Sequence, residues 1–170
     1  MAVEDRIYSF GGYCTGDNYR DEKPIDVFVL NTNTFRWSEV TKPKEEAELR
    51  KWPFQRYGHT VVARVSETFF FFLMSLSLHD QHYDFDIIGD LFLCNMHNDV
   101  FQGSTCYLFG GRNDEAACNL LFTFCSKTHT WSRPQVSGDI PGERDGHSAA
   151  IIGQHMFVFG GYEVSLMLQY

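Results

Sequence analysis

Residues Arg144–Gly161 read RDGHSAAIIGQHMFVFGG. A charged turn bearing Gly146 and His147 opens an apolar run, His147–Ile152, which breaks at Gly153. A second run, Met156–Phe159, then ends at the Gly160-Gly161 pair. Short β-branched and aromatic runs joined by a tight turn are two strands of an antiparallel hairpin, half of a four-stranded unit. A single unit of this kind leaves both faces uncovered, so the pattern has to recur for the chain to bury a core.

It recurs in fixed order. The strand closing on a glycine pair returns as IYSFGG (Ile7–Gly12) and CYLFGG (Cys106–Gly111), and the charged turn returns as RYGHT at Arg56–Thr60. Between them come a strand, a polar turn and a tryptophan: DVFVLNTNTFRW (Asp26–Trp37) and LLFTFCSKTHTW (Leu120–Trp131). Glycine pair, apolar strand, tryptophan, then Arg-x-Gly-His in that order resembles the kelch repeat. The positions carrying the resemblance are Gly11, Gly12, Trp37, Gly58, His59, Gly110, Gly111, Trp131, Gly146, His147, Gly160 and Gly161. It implies an all-β fold, a kelch β-propeller fragment of two to three four-stranded antiparallel blades. Closing a ring takes about 4–8 blades, so the ring is incomplete.

Spacing locates a foreign segment. Gly111 and Gly161 lie 50 residues apart, matching the roughly 50-residue kelch period, whereas Gly12 and Gly111 lie 99 apart with only one tryptophan turn between them. Removing Val65–Gln102 joins RYGHTVVAR to GSTCYLFGGRND and restores the repeat. The excised text begins Val-Ser and ends in Gln. A splice donor such as GTAAGT reads Val-Ser in frame and an acceptor CAG reads Gln, so the segment reads as a retained intron, with a genuine loop insertion between strands as the alternative. Val164-Ser165 repeats the sign at the C-terminal end. The expected division is therefore 1–64, first blade and start of the second; 65–102, insert; 103–163, second blade and start of the third; and 164–170, an aberrant tail.

Along the chain, MAVEDRIYSFGG is expected to enter directly at a blade's second strand, with Glu4-Asp5-Arg6 as its turn. Trp37 alternates with Phe35, so one of these aromatics is expected to face a neighbouring blade. Lys42–Gln55, with two prolines and many charges, reads as a solvated connection, and Ser132–Pro141 reads as an inter-blade loop. His59 and His147 are expected to satisfy backbone groups at their turns. Arg56 and Arg144 either cap carbonyls at a blade end or form surface ion pairs.

Composition narrows the classes of function. Formal net charge is −8, which argues against a nucleic-acid surface built on clustered Lys and Arg. Five cysteines, an odd number with no Cys-x-x-Cys, fit a reduced cytosolic or nuclear compartment. Nothing in Met1–Phe10 resembles a signal peptide, and the apolar run Phe69–Leu78 is far shorter than the ~18–20 residues of a membrane span. The histidines and aspartates at 79–97 match no metal-ligand spacing. No Ser-His-Asp order, carboxylate pair or phosphate loop is visible, so neither catalysis nor a metal or cofactor is expected.

Function is expected on the loops that a rigid scaffold displays. Those following each glycine pair emerge on one face, presenting Tyr13, Arg20, Arg112 and Tyr162, residue types enriched at binding hot spots. The motifs YSFGGY, FRW, RYGHT, FGGRND, THTW, VSGDIPGERDGHSA and FGGYE resemble the subset of kelch proteins that act as substrate receptors of cullin-2 RING ubiquitin ligases. That resemblance implies protein binding, the capture of client C-termini, and elongin B/C and cullin-2 as partners of a longer parent whose later blades and carboxy-terminal box lie outside this sequence. It places Tyr13 and Arg112 at pocket-side positions. It also implies cytoplasmic and nuclear location, with chromatin association in meiotic cells as the alternative. A kelch-fold copper oxidase is the second alternative, and it would require Tyr and His ligands converging on the propeller axis.

Overall fold

Three four-stranded antiparallel sheets make up nearly all of the computed structural model, which describes residues 1–13, 23–63, 91–96, 105–152 and 154–163. The first sheet is an up-and-down meander of β1 (Ala2–Val3), β2 (Arg6–Phe10), β3 (Val27–Asn31) and β4 (Arg36–Glu39). The second comprises β5 (Thr60–Ala63), β7 (Thr105–Phe109), β8 (Leu121–Cys125) and β9 (Thr130–Ser132). These are two blades of the expected propeller fragment. Glu4, with φ +54°, makes the turn of a hairpin in which Ala2 pairs with Ile7, so β1 occupies the inner-strand place and the chain does not enter at the second strand.

The third sheet runs β12 (Ser148–Ile152), β13 (His155–Phe159), β6 (Leu91–Met96), β10 (Val136–Gly138). Its inner pair is the hairpin read from the sequence. Its outer pair comes from elsewhere: β6, within 65–102, lies antiparallel to β13 with Met156 opposite Cys94 and Phe159 opposite Leu91. Strand β10, inside the stretch read as an inter-blade loop, pairs with β6. An open strand edge offers unpaired N–H and C=O groups to any extended segment within reach, which is why neither pairing is legible in local sequence. The rest of the insert and the 164–170 tail lie outside the described residues.

Burial alternation tells where each sheet sits. Tyr8 and Phe10 are buried while Ile7 and Ser9 between them are exposed, so the first sheet covers one face only. In the second sheet β7 is buried along almost its whole length. Its Cys106 and Leu108 join Tyr8, Phe10, Val27, Val29, Phe122, Phe124 and Trp131 in one core, and its Tyr107 and Phe109 join Leu121, Met156 and Val158 in another. Side chains alternate across a strand, so a continuous apolar run means a sheet with neighbours on both faces. The second blade is thus sandwiched between the other two.

Repeated turns hold the strands in register. Asn31 accepts from the N–H groups of Asn33 and Thr34 through Oδ1, at 2.9 and 3.0 Å, and lets Phe35 take φ +53°. His129 has φ +57° at the matching place in the second blade. The tryptophans differ. Trp131 is buried against Phe10, Trp52, Phe122 and Phe124, with ring centroids 5.0–6.4 Å away. Trp37 is 55% and Phe35 78% exposed; the expectation that one of them faces a neighbouring blade fails because among the described residues no sheet lies on that side. The connection 42–55 is also not solvated throughout. It contains a short helix, α1 (Glu46–Leu49), and then buries Trp52 and Gln55, whose Oε1 accepts from the Asp26 N–H at 2.7 Å.

Candidate functional site

The glycine pairs and the Arg-x-Gly-His turns assemble into a staple that is repeated between blades. Gly12 N–H donates to the Arg56 carbonyl at 2.9 Å, and Gly111 N–H donates to the Arg144 carbonyl at 2.8 Å. Each blade's glycine pair thereby clips onto the turn that opens the next. The approach leaves no room for a side chain: a Cβ on Gly11 would stand 2.6 Å from the Arg56 carbonyl oxygen, and one on Gly110 would stand 2.8 Å from that of Arg144. Positive φ at both positions is the second reason for glycine. The turns also touch one another, Gly146 N–H donating to the Gly58 carbonyl at 2.7 Å.

Both arginines of the motif are interior groups. Arg56 has 0% and Arg144 2% exposure, so neither makes a surface ion pair of the ordinary solvated kind. Each Nη1 donates to the first glycine carbonyl of its own blade, Arg56 to Gly110 at 3.0 Å and Arg144 to Gly160 at 2.9 Å. Each Nε donates two residues back, to Phe54 at 3.0 Å and to Gly142 at 3.2 Å. Buried charge is tolerable only when hydrogen-bonded in this way. Burial still lowers the Arg56 pKa from its ordinary value.

The histidines follow the same logic. His147 Nε2 lies 2.8 Å from Thr60 Oγ1, tying the third blade's turn to the second blade's inner strand. Burial, reinforced by the adjacent guanidinium of Arg56 or Arg144, depresses His59 and His147 to pKa values of about 4. Both are neutral imidazoles at physiological pH. They interact with the backbone of Phe10 and Phe109 respectively, which opposes the shift.

The staple sets out one line of side chains across the blades. Tyr13, 69% exposed, meets Tyr57 edge to face with ring centroids 5.4 Å apart. Tyr57 and Arg112 exchange backbone hydrogen bonds, both 2.9 Å. At the matching place in the third blade β11 (Arg144–Asp145) pairs with β14 (Tyr162–Glu163), setting Asp145 opposite Tyr162. Three of the four expected binding residues, Tyr13, Arg112 and Tyr162, thus sit on glycine-pair loops along this line. Arg20 lies outside the described residues. Tyr57 and Asp145 belong to the line as well. Both occupy the variable place in Arg-x-Gly-His, so the signal for them was position in the repeat, not residue type.

Half-buried Arg112 donates through Nε to the Asn113 carbonyl at 3.3 Å, and no carboxylate pairs with it among the described residues. Exposed Tyr13, half-buried Tyr57 and the Arg112 loop paired to Tyr57 through the backbone bring flat apolar area, hydroxyls and a guanidinium fork to one line. Among the described residues no three His, Cys, Asp or Glu side chains are grouped so as to hold a metal ion, and no helix is long and apolar enough to cross a membrane.

Comparison with known proteins gives two family matches. The family described as "KLHDC2/KLHL20/DRC7 Kelch-repeats domain" matches residues 94–168, and the family described as "Kelch motif" matches residues 1–44. The chain is similar to Kelch domain-containing protein 3 of Bos taurus, 38% identical over 166 residues, which is 96% of this chain and 34% of that protein. Kelch domain-containing protein 1 of Mus musculus is 25% identical over 172 residues, covering 94% of this chain and 34% of the relative. Rab9 effector protein with kelch motifs of Rattus norvegicus is 41% identical over 58 residues, 34% of this chain and 16% of that protein. The chain therefore spans about a third of the length of the first two.

Proposed function

We propose that this chain, which belongs to the kelch-repeat family, is part of the client-binding face of a substrate-recognition adaptor of a cullin-2 RING ubiquitin ligase, and that it binds polypeptides without transforming them. The single observation that carries the reading is the rim itself: Tyr13 against Tyr57, and Tyr57 bridged to Arg112, on loops fixed by the glycine staple. Arg112 is suited to clasp a client's C-terminal carboxylate through paired hydrogen bonds, with the tyrosines as apolar walls. Elongin B/C and cullin-2 are the partners proposed for a longer parent, and cytoplasm and nucleus its location. Residues 65–102 and 164–170 are proposed to derive from intron text. Strand β6 is compatible with that origin, because a sheet edge accepts extended backbone whatever its source.

The direct test is an array of peptides with free and amidated C-termini probed with the chain. Retention of free-acid peptides, its loss on amidation and its loss in Arg112→Ala are the expected results. Equal capture of amidated peptides would remove the C-terminal reading. Co-purification of elongin B/C and cullin-2 with the longer parent tests the ligase role, imaging of the tagged parent tests location, and sequencing of spliced transcripts tests the origin of 65–102.

A further inference from the structure

The two buried arginines differ in one hydrogen bond. Arg144 Nη2 reaches Glu163 Oε2 at 3.3 Å, so the third blade's buried cation has an internal counter-ion. Glu163 stands two residues after Gly161, and the corresponding residue of the second blade is Asn113. Asn113 carries no charge, and its Oδ1 already accepts the N–H groups of Glu115 and Ala116 at 3.0 and 2.7 Å. Arg56 Nη2 is accordingly buried with no carboxylate to meet it among the described residues; the guanidinium instead lies on the Phe54 ring, 3.9 Å from its centre, and interacts with the Cys118 side chain.

Arg56 lines a lateral cavity of about 460 Å³ between the 42–55 connection and the second blade, a size typical of ligand sites. Trp52, Phe54 and Phe122 supply apolar walls, and Arg133 and Arg50 supply further positive charge. The guanidinium carbons of Arg56 and Arg133 each lie 5.1 Å from the Phe122 ring centre, so two cations share one aromatic ring. The acidic side chain on the wall, Glu46, is engaged by Arg50 at 2.6 Å. A partly solvent-open site with the exposed Arg133 at its mouth, a buried cation behind it and aromatic walls favours a group that is anionic at one end and apolar along its body.

We propose that this cavity receives an acidic side chain of a bound polypeptide, its carboxylate meeting the exposed Arg133 within the field of the fully buried Arg56, with a neighbouring apolar residue laid on half-buried Phe54. The inference rests on the protein-binding reading but concerns a site away from the rim, and it recognises an internal Asp or Glu, not a chain end.

Two capped and amidated probes separate the two sites, acetyl-Phe-Glu-Phe-amide and acetyl-Phe-Gln-Phe-amide, since neither offers a C-terminal carboxylate. Titrated into the full chain and followed by tryptophan fluorescence, to which Trp52 contributes, the Glu probe should bind at least about tenfold more tightly than the Gln probe, with an affinity that falls as salt rises. Arg133→Gln alters an exposed side chain and should leave the fold intact while removing that preference. Asn113→Glu, which copies the third blade's internal counter-ion, should weaken the Glu probe as well. Equal affinity for the two probes, no binding of either, or an unchanged preference in Arg133→Gln would overturn the inference. Free-acid peptides that bind through Arg112 would leave the rim reading standing in each of those cases.

Discussion

Gly110 and Gly160 are the first glycines of two successive pairs and share one backbone conformation, φ +67° at both. They differ in what surrounds them. A Cβ on Gly110 would fall 2.5 Å from His147 Cε1 and 2.8 Å from the Arg144 carbonyl oxygen, both in the next blade, whereas a Cβ on Gly160 would meet nothing within 4 Å. Alanine at either position carries the left-handed backbone penalty of about 1–2 kcal/mol. Only at Gly110 is there added overpacking, typically about 1–3 kcal/mol when the neighbour includes backbone that cannot swing aside. Gly110→Ala should therefore destabilise the chain by about 2–5 kcal/mol and Gly160→Ala by about 1–2 kcal/mol. Urea titration followed by fluorescence of the buried Trp131 measures both. Equal losses would show that backbone conformation alone dictates the glycine and would refute the inter-blade staple.

Four further outcomes follow from the same geometry. Truncating Trp131, buried between two blades, should cost about 3–5 kcal/mol, while Trp37→Ala should stay within about 0.5 kcal/mol; comparable effects in chemical denaturation would contradict the assigned environments. His59 and His147 titrate near 4 when folded, against about 6.5 unfolded. The unfolded chain thus binds the extra protons, and stability present above pH 6.5 is lost as pH falls toward 4, on the order of 3 kcal/mol for each histidine. A series of denaturation midpoints against pH should show that decline, and His147→Gln should flatten it by about half. Cys106, 1% exposed and with its thiol pushed up to about 11 by burial, should resist a thiol reagent until unfolding, as peptide mass mapping would report. Phe28→Lys, on the open face of the first blade, should reduce self-association in light scattering without lowering the unfolding midpoint by more than about 1 kcal/mol, because Phe28 is 41% exposed.

Much of this architecture was legible because the repeat encodes local constraints. Glycine pairs require positive φ, Asn31 sets a turn, and alternating apolar residues such as Tyr8 and Phe10 declare an inner face. What escaped the sequence was set by tertiary surroundings. For Arg56 and Arg144 the sequence left carbonyl capping and surface ion pairing both open, and the bonds to the Gly110 and Gly160 carbonyls decide for capping. Trp37 and Trp131 occupy equivalent places, yet one is exposed and the other buried, since that outcome depends on whether a neighbouring sheet is present. Trp52 sits among prolines and charges that read as loop, and its burial follows from contact with Trp131. At the rim, Tyr13, Arg112 and Tyr162 follow their glycine pairs in the sequence, while Tyr57 and Asp145 carried only the signal of the variable place in Arg-x-Gly-His, which the backbone bridges to those loops make readable.

The strand order has a bearing on biosynthesis. The first sheet is assembled from residues 2–39 alone and can form as soon as they leave the ribosome. By contrast, β6 departs from between the two inner strands of the second sheet and finds its partners only in residues 136–138 and 155–159. Sheets two and three are therefore interleaved along the chain: the second has all its strands once β9 is made, but the third waits for β13. Non-local closure of this kind slows folding and prolongs the life of unpaired edges. Throughout that interval Leu91–Met96 is an apolar strand awaiting its template, the point at which a chaperone, or another nascent copy, would first take hold.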